Sequence, residues 1–412
     1  MIWKKKESYA LTVVDVGTSK VAVAVGELKP DGSLVLLGVG QAESGGAVRK
    51  GEIVDFELAQ QAIQLALADA EDKTECMIEY VYLNLTGAHL EPKVIRLKTV
   101  IDTEDNRVTQ EHLGRLDEEL ENYAIPSEHE IIHSAVQQYY LDNGMSCKPI
   151  GQSSETLEAT YHIVHGLRTR LETLFRSVME LNIKVVHYTL SSYAAAELVL
   201  NPQQKKEGAL VVDMGAGVTD YLVYVDGTVA HTGVLAVGGE HVTQDLAFGL
   251  KLPFRSAELL KINHGNLYAN PDRPNERIVL EKEVNADERS IFAESLSRIA
   301  QARVRETLDL IREDLEARGL WEQIGGSVHI TGGASQIRGL QRLAEEVFPV
   351  PVRLVHEFSL EGDQTYSRRP DLSTVLGLLR YAQQYDQLHA RPSGFDRLRR
   401  SFQEVLASMR LF

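Results

Sequence analysis

Cysteine is nearly absent from this chain. Of its 412 residues only 2 are Cys, Cys76 and Cys147, and neither lies in a Cys-x-x-Cys. A disulfide scaffold and a cysteine zinc site are therefore excluded. Positive charge is scarce too: 43 Lys and Arg stand against 59 Asp and Glu, a formal net charge of -16. That excludes a general nucleic-acid binder, which needs a cationic excess to neutralise phosphates. No run approaches the ~18 uncharged apolar residues of a spanning helix. The basic start, Met1 to Lys6, mimics the head of a signal peptide. Asp15 and Lys20 interrupt the apolar run behind it, and no small-residue cleavage site follows, so a cytosolic protein is expected. A Gly-x-x-x-x-Gly-Lys-Ser/Thr loop is missing as well, which rules out a P-loop nucleotidase. What remains is ordinary globular material, 43% hydrophobic, enough for two to four domain-sized units.

The most informative pattern is an internal echo. Residues 9–26 read as two Val-rich strands around Gly17-Thr18, and residues 208–225 repeat the theme. Each first strand ends in an aspartate, Asp15 or Asp213, followed by a glycine turn. Further strands are expected at 34–41, 78–86 and 327–332. Helices are expected at 55–72, with Leu58, Ala62, Leu65 and Ala66 on one face, and at 167–181 and 291–319. Residues 381–394 are polar, contain Pro392 and Gly394, and read as a linker.

A single glycine turn after a strand is an ordinary hairpin. Two facing each other across a cleft suit a bound triphosphate. Gly17, Gly215 and Gly217 would let backbone N–H groups approach its oxygens, and Thr18 and Thr219 would add hydroxyl donors. Lys20 would reach the phosphates as a point charge. Asp15 and Asp213 are placed to hold Mg²⁺ through its retained waters.

HEIIH at His129–His133 matches the zinc-protease spacing. No convincing third ligand follows, and the family resemblance set out below implies a strand here, where residues i and i+4 lie about 13 Å apart. Zinc is not expected there, and His162 and His165 read as ordinary strand-end residues.

The last segment, Phe395 to Phe412, is amphipathic. Phe395, Leu398, Phe402, Val405, Leu406, Met409 and Phe412 fall within a sector of about 120° on a helix. Arg397, Arg399, Arg400 and Arg410 outnumber Asp396 and Glu404, a local reversal of the chain's charge. An interfacial membrane helix is favoured over a helix docked on the protein's own core.

DVGTSK (Asp15–Lys20), VVDMGAGVTD (Val211–Asp220) and ITGGASQIRG (Ile330–Gly339) resemble, in order, the two phosphate motifs and the adenosine motif of the actin-like ATPase superfamily. SSYAAAE (Ser191–Glu197) and PDLSTVLGLL (Pro370–Leu379) fall where that superfamily has its connecting helices. VYLNLTG (Val81–Gly87), HEIIHSAVQQYYLDN (His129–Asn143), VGGEHVTQDLAFGL (Val237–Leu250) and AELLKINHG (Ala257–Gly265) resemble the FtsA family of bacterial division proteins. The resemblance implies an α/β, actin-like (ribonuclease-H-like) two-lobed fold with an inserted α+β subdomain and a C-terminal amphipathic helix. The first lobe would comprise residues 8–86, 166–207 and 370–388, the insert 87–165, and the second lobe 208–369 with a smaller subdomain at 240–305. A linker would span 389–394 and the membrane helix 395–412.

The cofactors implied are ATP and Mg, held by Asp15, Gly17, Thr18, Ser19, Lys20, Asp213, Gly215, Ala216, Gly217, Thr219, Gly238, Gly239, Glu240, Gly332, Gly333 and Ala334. The partners implied are the FtsZ C-terminal peptide, met at Arg303, further copies of the chain, other division proteins and an anionic membrane. The place implied is the cytoplasmic face of the cell membrane at the septum. Some positions depart from the family pattern. Ala216 and Val218 stand where the family usually has Gly and Thr, and Val136 and Gln138 replace a Pro and a Glu of the insert. Ser191 stands where filamentous relatives often have a Glu that orients water, so hydrolysis is expected to be weak or absent. A type IV pilus assembly scaffold and an actin-fold kinase are the alternative readings.

Overall fold

The computed structural model describes residues 8–142, 144–273, 275–280 and 290–388. Two sheets built on one plan form its frame. In the first, strand Tyr9–Val16 turns back into Lys20–Leu28 with Asp15 opposite Ala22. Leu34–Glu43 extends the sheet on one side. Tyr80–Leu85 runs parallel to the first strand, and Lys184–Leu190 lies parallel beyond it. The second sheet repeats this order. Ala209–Met214 turns into Thr219–Val225 with Asp213 opposite Asp220, Thr228–Leu235 follows, and Ser327–Thr331 lies parallel to the first strand.

The opening strand is apolar on both faces because both are covered. Val14 packs under helix Phe56–Thr74, and Val13 packs under helix Ser373–Leu388. The first of these helices starts where the Asp55 carboxylate accepts from the Leu58 N–H at 3.0 Å. Its buried face is Ala59, Ala62, Ile63, Ala66, Leu67 and Ala70. The expected face was shifted: Leu65 is 64% exposed. Alanines face the sheet at positions 66 and 70 because Gly40 of the underlying strand touches the helix backbone there, leaving no room for a larger side chain at those two positions.

The residues between the two halves build their own antiparallel sheet from Glu91–Val100, Thr156–Leu167, His129–Leu141 and Gly144–Ser146. Helix Gln110–Glu121 closes a separate core around Leu116, Leu157 and Ile163. HEIIH lies on a strand here, as expected. On the second sheet, helices Gly239–Leu250, Ala293–Ala317 and Leu340–Val347 bury a core through Leu246, Leu308 and Leu343.

One expectation is corrected: residues 381–388 are not a linker. They complete helix Ser373–Leu388, because Ala382 is fully buried against the first sheet and the Tyr9 hydroxyl donates to Asp386. The linker at 389–394 and the amphipathic segment from Phe395, with its apolar residues Leu398, Phe402, Val405, Leu406, Met409 and Phe412 and with Arg399, lie outside the described residues.

Candidate functional site: a cleft between two aspartate–glycine hairpins

The two hairpin turns meet across a cleft of about 820 Å³. Their local geometry is the same. The Gly17 N–H donates to the Lys20 carbonyl at 3.0 Å, and the Gly215 N–H donates to the Val218 carbonyl at 3.0 Å. A Cβ at Gly17 would sit 2.8 Å from that acceptor, and one at Gly215 2.9 Å, so each turn closes only on glycine. The turns also touch each other. A Cβ at Gly217 would lie 2.8 Å from Thr18 Cγ2 on the opposite lobe. Gly332, at φ +92°, takes a backbone conformation that L side chains avoid and passes beside the Met214 backbone.

Helix Gly239–Leu250 starts at the second turn, where the Gly239 and Glu240 N–H groups donate to the Gly215 and Ala216 carbonyls, both at 2.9 Å. The expected residues Asp15, Gly17, Thr18, Ser19, Lys20, Asp213, Gly215, Ala216, Gly217, Gly238, Gly239, Gly332, Gly333 and Ala334 all line the cleft. Thr219 and Glu240 do not. Thr219 is fully buried and donates to the Val237 carbonyl at 2.8 Å, and Glu240 meets the second turn through its backbone.

The floor is acidic. Burial raises the pKa of Asp15, against a hydrogen bond from Asn84 Nδ2 at 2.8 Å. Burial pushes Asp213 up to about 6, opposed by the Thr374 hydroxyl at 2.6 Å and reinforced by the charge of Asp15. Asp220 is raised well above the ordinary carboxylate value by burial, although Thr86 donates to it at 2.7 Å; Asp213 and Asp15 add to the rise. Lys20 does not neutralise this group directly, because it is ion-paired with Asp371. Arg369 also holds Asp371, at 2.7 Å, and burial notwithstanding, these partners bring its pKa down to about 2.

Asp220, Asn84, Thr86 and Thr374 were not anticipated. Asp220 had a signal: counting back through the turn places it opposite Asp213. Thr374 had none, since it arrives from 161 residues away.

A hydrated Mg²⁺ fits this floor. The three aspartates form no set tight enough to chelate an ion directly, which suits a cation that keeps its waters. Asn84 Oδ1 is buried without a donor beside Asp15, as an acceptor for a bound water would be. The expected donation from the Gly17 and Gly215 N–H groups is not met, because both close their own turns; Ser19, Ala216 and Val218 beside them line the cleft where phosphate oxygens would approach. Ser191 Oγ accepts from Asn84 at 2.8 Å and donates to the Leu85 carbonyl at 3.2 Å.

A family model described as "Cell division protein FtsA" matches residues 210–377, and one described as "SHS2 domain inserted in FTSA" matches 87–165. "Cell division protein FtsA" of Pseudomonas aeruginosa is 31% identical over 372 residues, covering 90% of this chain and 88% of the relative. That of Neisseria meningitidis serogroup B is 30% identical, covering 90% of each.

The chain belongs to the FtsA family.

It is an actin-like protein of cell division. Among solved structures, this FtsA-family fold is similar to a chain of the PilM-PilN type IV pilus biogenesis complex, with a TM-score of 0.65 and 15% identity over 92% of this chain and 99% of that one. MreB 5 of Spiroplasma citri bound to AMPPNP gives 0.56 and 15% identity over 93% and 100%. At such identities the likeness concerns the fold, which is actin-like. The pilus-scaffold and kinase readings give way to cell division, because the sequence relatives are FtsA proteins.

Arg303 lies on helix Ala293–Ala317 of this FtsA-family chain and is engaged within it. Its guanidinium grips Asp245 through Nε at 2.6 Å and Nη2 at 3.1 Å, and it also contacts Glu306. Three residues beyond Asp245 on helix Gly239–Leu250, Phe248 is 89% exposed. Among the described residues no helix is long and apolar enough to cross a membrane.

Proposed function

We propose that this FtsA-family chain binds Mg-ATP between its hairpins and tethers an FtsZ ring to the cytoplasmic face of the cell membrane at the septum. The observation that carries the nucleotide reading is the paired turn geometry, with Gly217 of one lobe against Thr18 of the other. Residues 8–86, 166–207 and 370–388 act as one lobe, 208–369 as the other, and 87–165 as the insert that meets other division proteins. Asp15 and Asp213 hold the waters of Mg²⁺, and the phosphates lie against the two turns, whose Gly17 and Gly215 N–H groups close the turns themselves. Bound Mg²⁺ offsets the phosphate charge. Asp15, Asp213 and Asp220 anchor the cation's hydration, and Thr86 and Thr374 hold two of these carboxylates in place. With Ser191 in the water-orienting position, the chain keeps its nucleotide and hydrolyses it slowly if at all.

A ligand held by both lobes stabilises the closed form in proportion to its occupancy. In that form further copies associate. Arrayed copies present many 395–412 helices to an anionic bilayer, and multivalency makes a weak anchor effective. The face around Arg303 in the 240–305 subdomain receives the mixed apolar and acidic FtsZ tail. Co-sedimentation with anionic liposomes tests this reading, with the full chain and a chain ending at Pro392, each with and without ATP. The full chain should sediment, more strongly with ATP, and carry FtsZ with it. Equal sedimentation by the shortened chain would overturn the anchor.

A further inference from the structure

At the root of the inserted sheet three potential metal ligands converge on one face. Glu91 begins the insert's first strand and lies directly opposite His165 on the last. His129 begins the strand on the other side of His165 and pairs with Leu167, two positions along. Direct and diagonal cross-strand neighbours share a face. The ligand atoms of Glu91, His129 and His165 all lie within 4.8 Å of one another, and the Nδ1 atoms of the two histidines are 2.9 Å apart.

A β-bulge creates this arrangement. Pairing shifts by one residue between Val164 and His165, so that Val164 faces His133 while His165 faces Ile131. The extra residue turns His129 and His133 to opposite sides of the sheet. His133 stacks on Tyr193 of the first lobe, with ring centroids 4.1 Å apart, while His129 meets His165. The zinc-protease spacing is thus broken twice, by distance and by face. In its place the fold assembles two histidines and a carboxylate from three different strands.

We propose that Glu91, His129 and His165 bind one divalent transition-metal ion of the Zn²⁺ class. Two imidazoles and a carboxylate are a donor set that suits zinc, at ~2.0–2.2 Å per bond with ligand atoms about 3.3 Å apart. The spacing seen here needs only side-chain adjustment to reach that. His129 and His165 are buried and Glu91 is exposed, so the ion would have protein behind it and water at its fourth position.

The ion's role follows from where the ligands sit. Glu91 and His165 lie where the insert enters and leaves the first lobe, and His129 fixes the strand on the far side of His165. The His129 strand carries Gln137, whose amide donates to the Val229 and Ala230 carbonyls of the second lobe at 2.9 and 3.0 Å. A bound ion would clamp the three strands and hold the insert at a fixed angle against that lobe.

The test is cobalt titration of the untagged full chain, followed by its visible d–d absorption, with zinc as competitor. One Co²⁺ per chain with a four-coordinate spectrum is expected, displaced by Zn²⁺. Glu91→Gln, His129→Gln and His165→Gln should each weaken binding by ~10-fold or more. His133→Gln and Asp213→Asn should not. Glu91 is exposed, so its variant tests the site even if the buried histidine variants fail to fold, and circular dichroism separates the two cases. If wild type shows no saturable cobalt binding, or if folded Glu91→Gln binds as tightly as wild type, the site is refuted.

Discussion

Adding one methyl group at Gly217 should weaken nucleotide binding by forcing the lobes apart. The new Cβ would meet Thr18 Oγ1 first and would stand 2.8 Å from Thr18 Cγ2 and 3.0 Å from Thr18 Cβ, against ~3.5–4.0 Å for carbon atoms at rest. The turns must therefore separate by roughly 0.5–1 Å. Thr18 is buried, stiff at χ1 and in contact with the Gly51 N–H at 3.4 Å. Both its γ atoms meet the new Cβ, so rotation only exchanges one for the other and cannot relieve the clash.

Gly217 does not adopt a left-handed backbone, so alanine brings no strain of its own. The cost belongs to the closed state and is about 1–3 kcal/mol. That predicts roughly 5- to 150-fold weaker binding of a non-hydrolysable ATP analogue with Mg²⁺, read by isothermal titration. Thr18→Ala removes Cγ2 and Oγ1. Alone it loses a hydroxyl donor; combined with Gly217→Ala it should cost less than the two changes added, by ~0.5–3 kcal/mol of coupling. Gly215→Ala is the control. Its Cβ collides with Val218 O in its own turn, so Thr18→Ala should not relieve it. Unchanged affinity in Gly217→Ala, or strict additivity with Thr18→Ala, would refute interlobe contact as the cause.

Other outcomes follow from the same geometry. The Asp213 carboxyl titrates near 6 when folded, above its ordinary 3.8, so the folded state holds the extra proton between those values. Wild-type stability should therefore fall as pH rises through that window, by a few kcal/mol at most. Asp213→Asn should melt higher than wild type at pH 7.5 without ligand, the gap should close below about pH 4, and Mg-ATP should no longer raise its melting temperature. A constant gap across pH would show that burial of the charge is not the cause. Arg303→Glu sets a third acid beside Asp245 and Glu306 and should lower both thermal stability and FtsZ-peptide affinity. Asp245→Asn frees the guanidinium and should preserve or strengthen peptide binding in fluorescence anisotropy; loss in both variants would mean that the pair only holds the helices together. Phe402→Glu in the C-terminal segment should abolish liposome flotation. Arg399→Ala should only reduce its dependence on anionic lipid, by roughly 1 kcal/mol, because apolar burial outweighs the charge.

Short-range order in this chain was legible from the sequence. The Val-rich pairs flanking Gly17 and Gly215 announce hairpins, because turn chemistry and apolar alternation act over a few residues. The repetition of that unit, with Asp15 and Asp213 at matching strand ends, itself implies the cleft.

Tertiary structure decided what depends on faces and on distant partners. Leu65 and Ala59 fit a helical period equally well, and only the close approach of Gly40 selects the alanine side. The polar stretch at 381–388 looked like a linker until Ala382 and Asp386 were buried against the first sheet. Thr374 meets Asp213, and Lys20 meets Asp371, only because the chain returns to its first lobe near its end. The histidines of HEIIH part company because of one bulge, and register is fixed by the packing of a whole sheet rather than by local propensity.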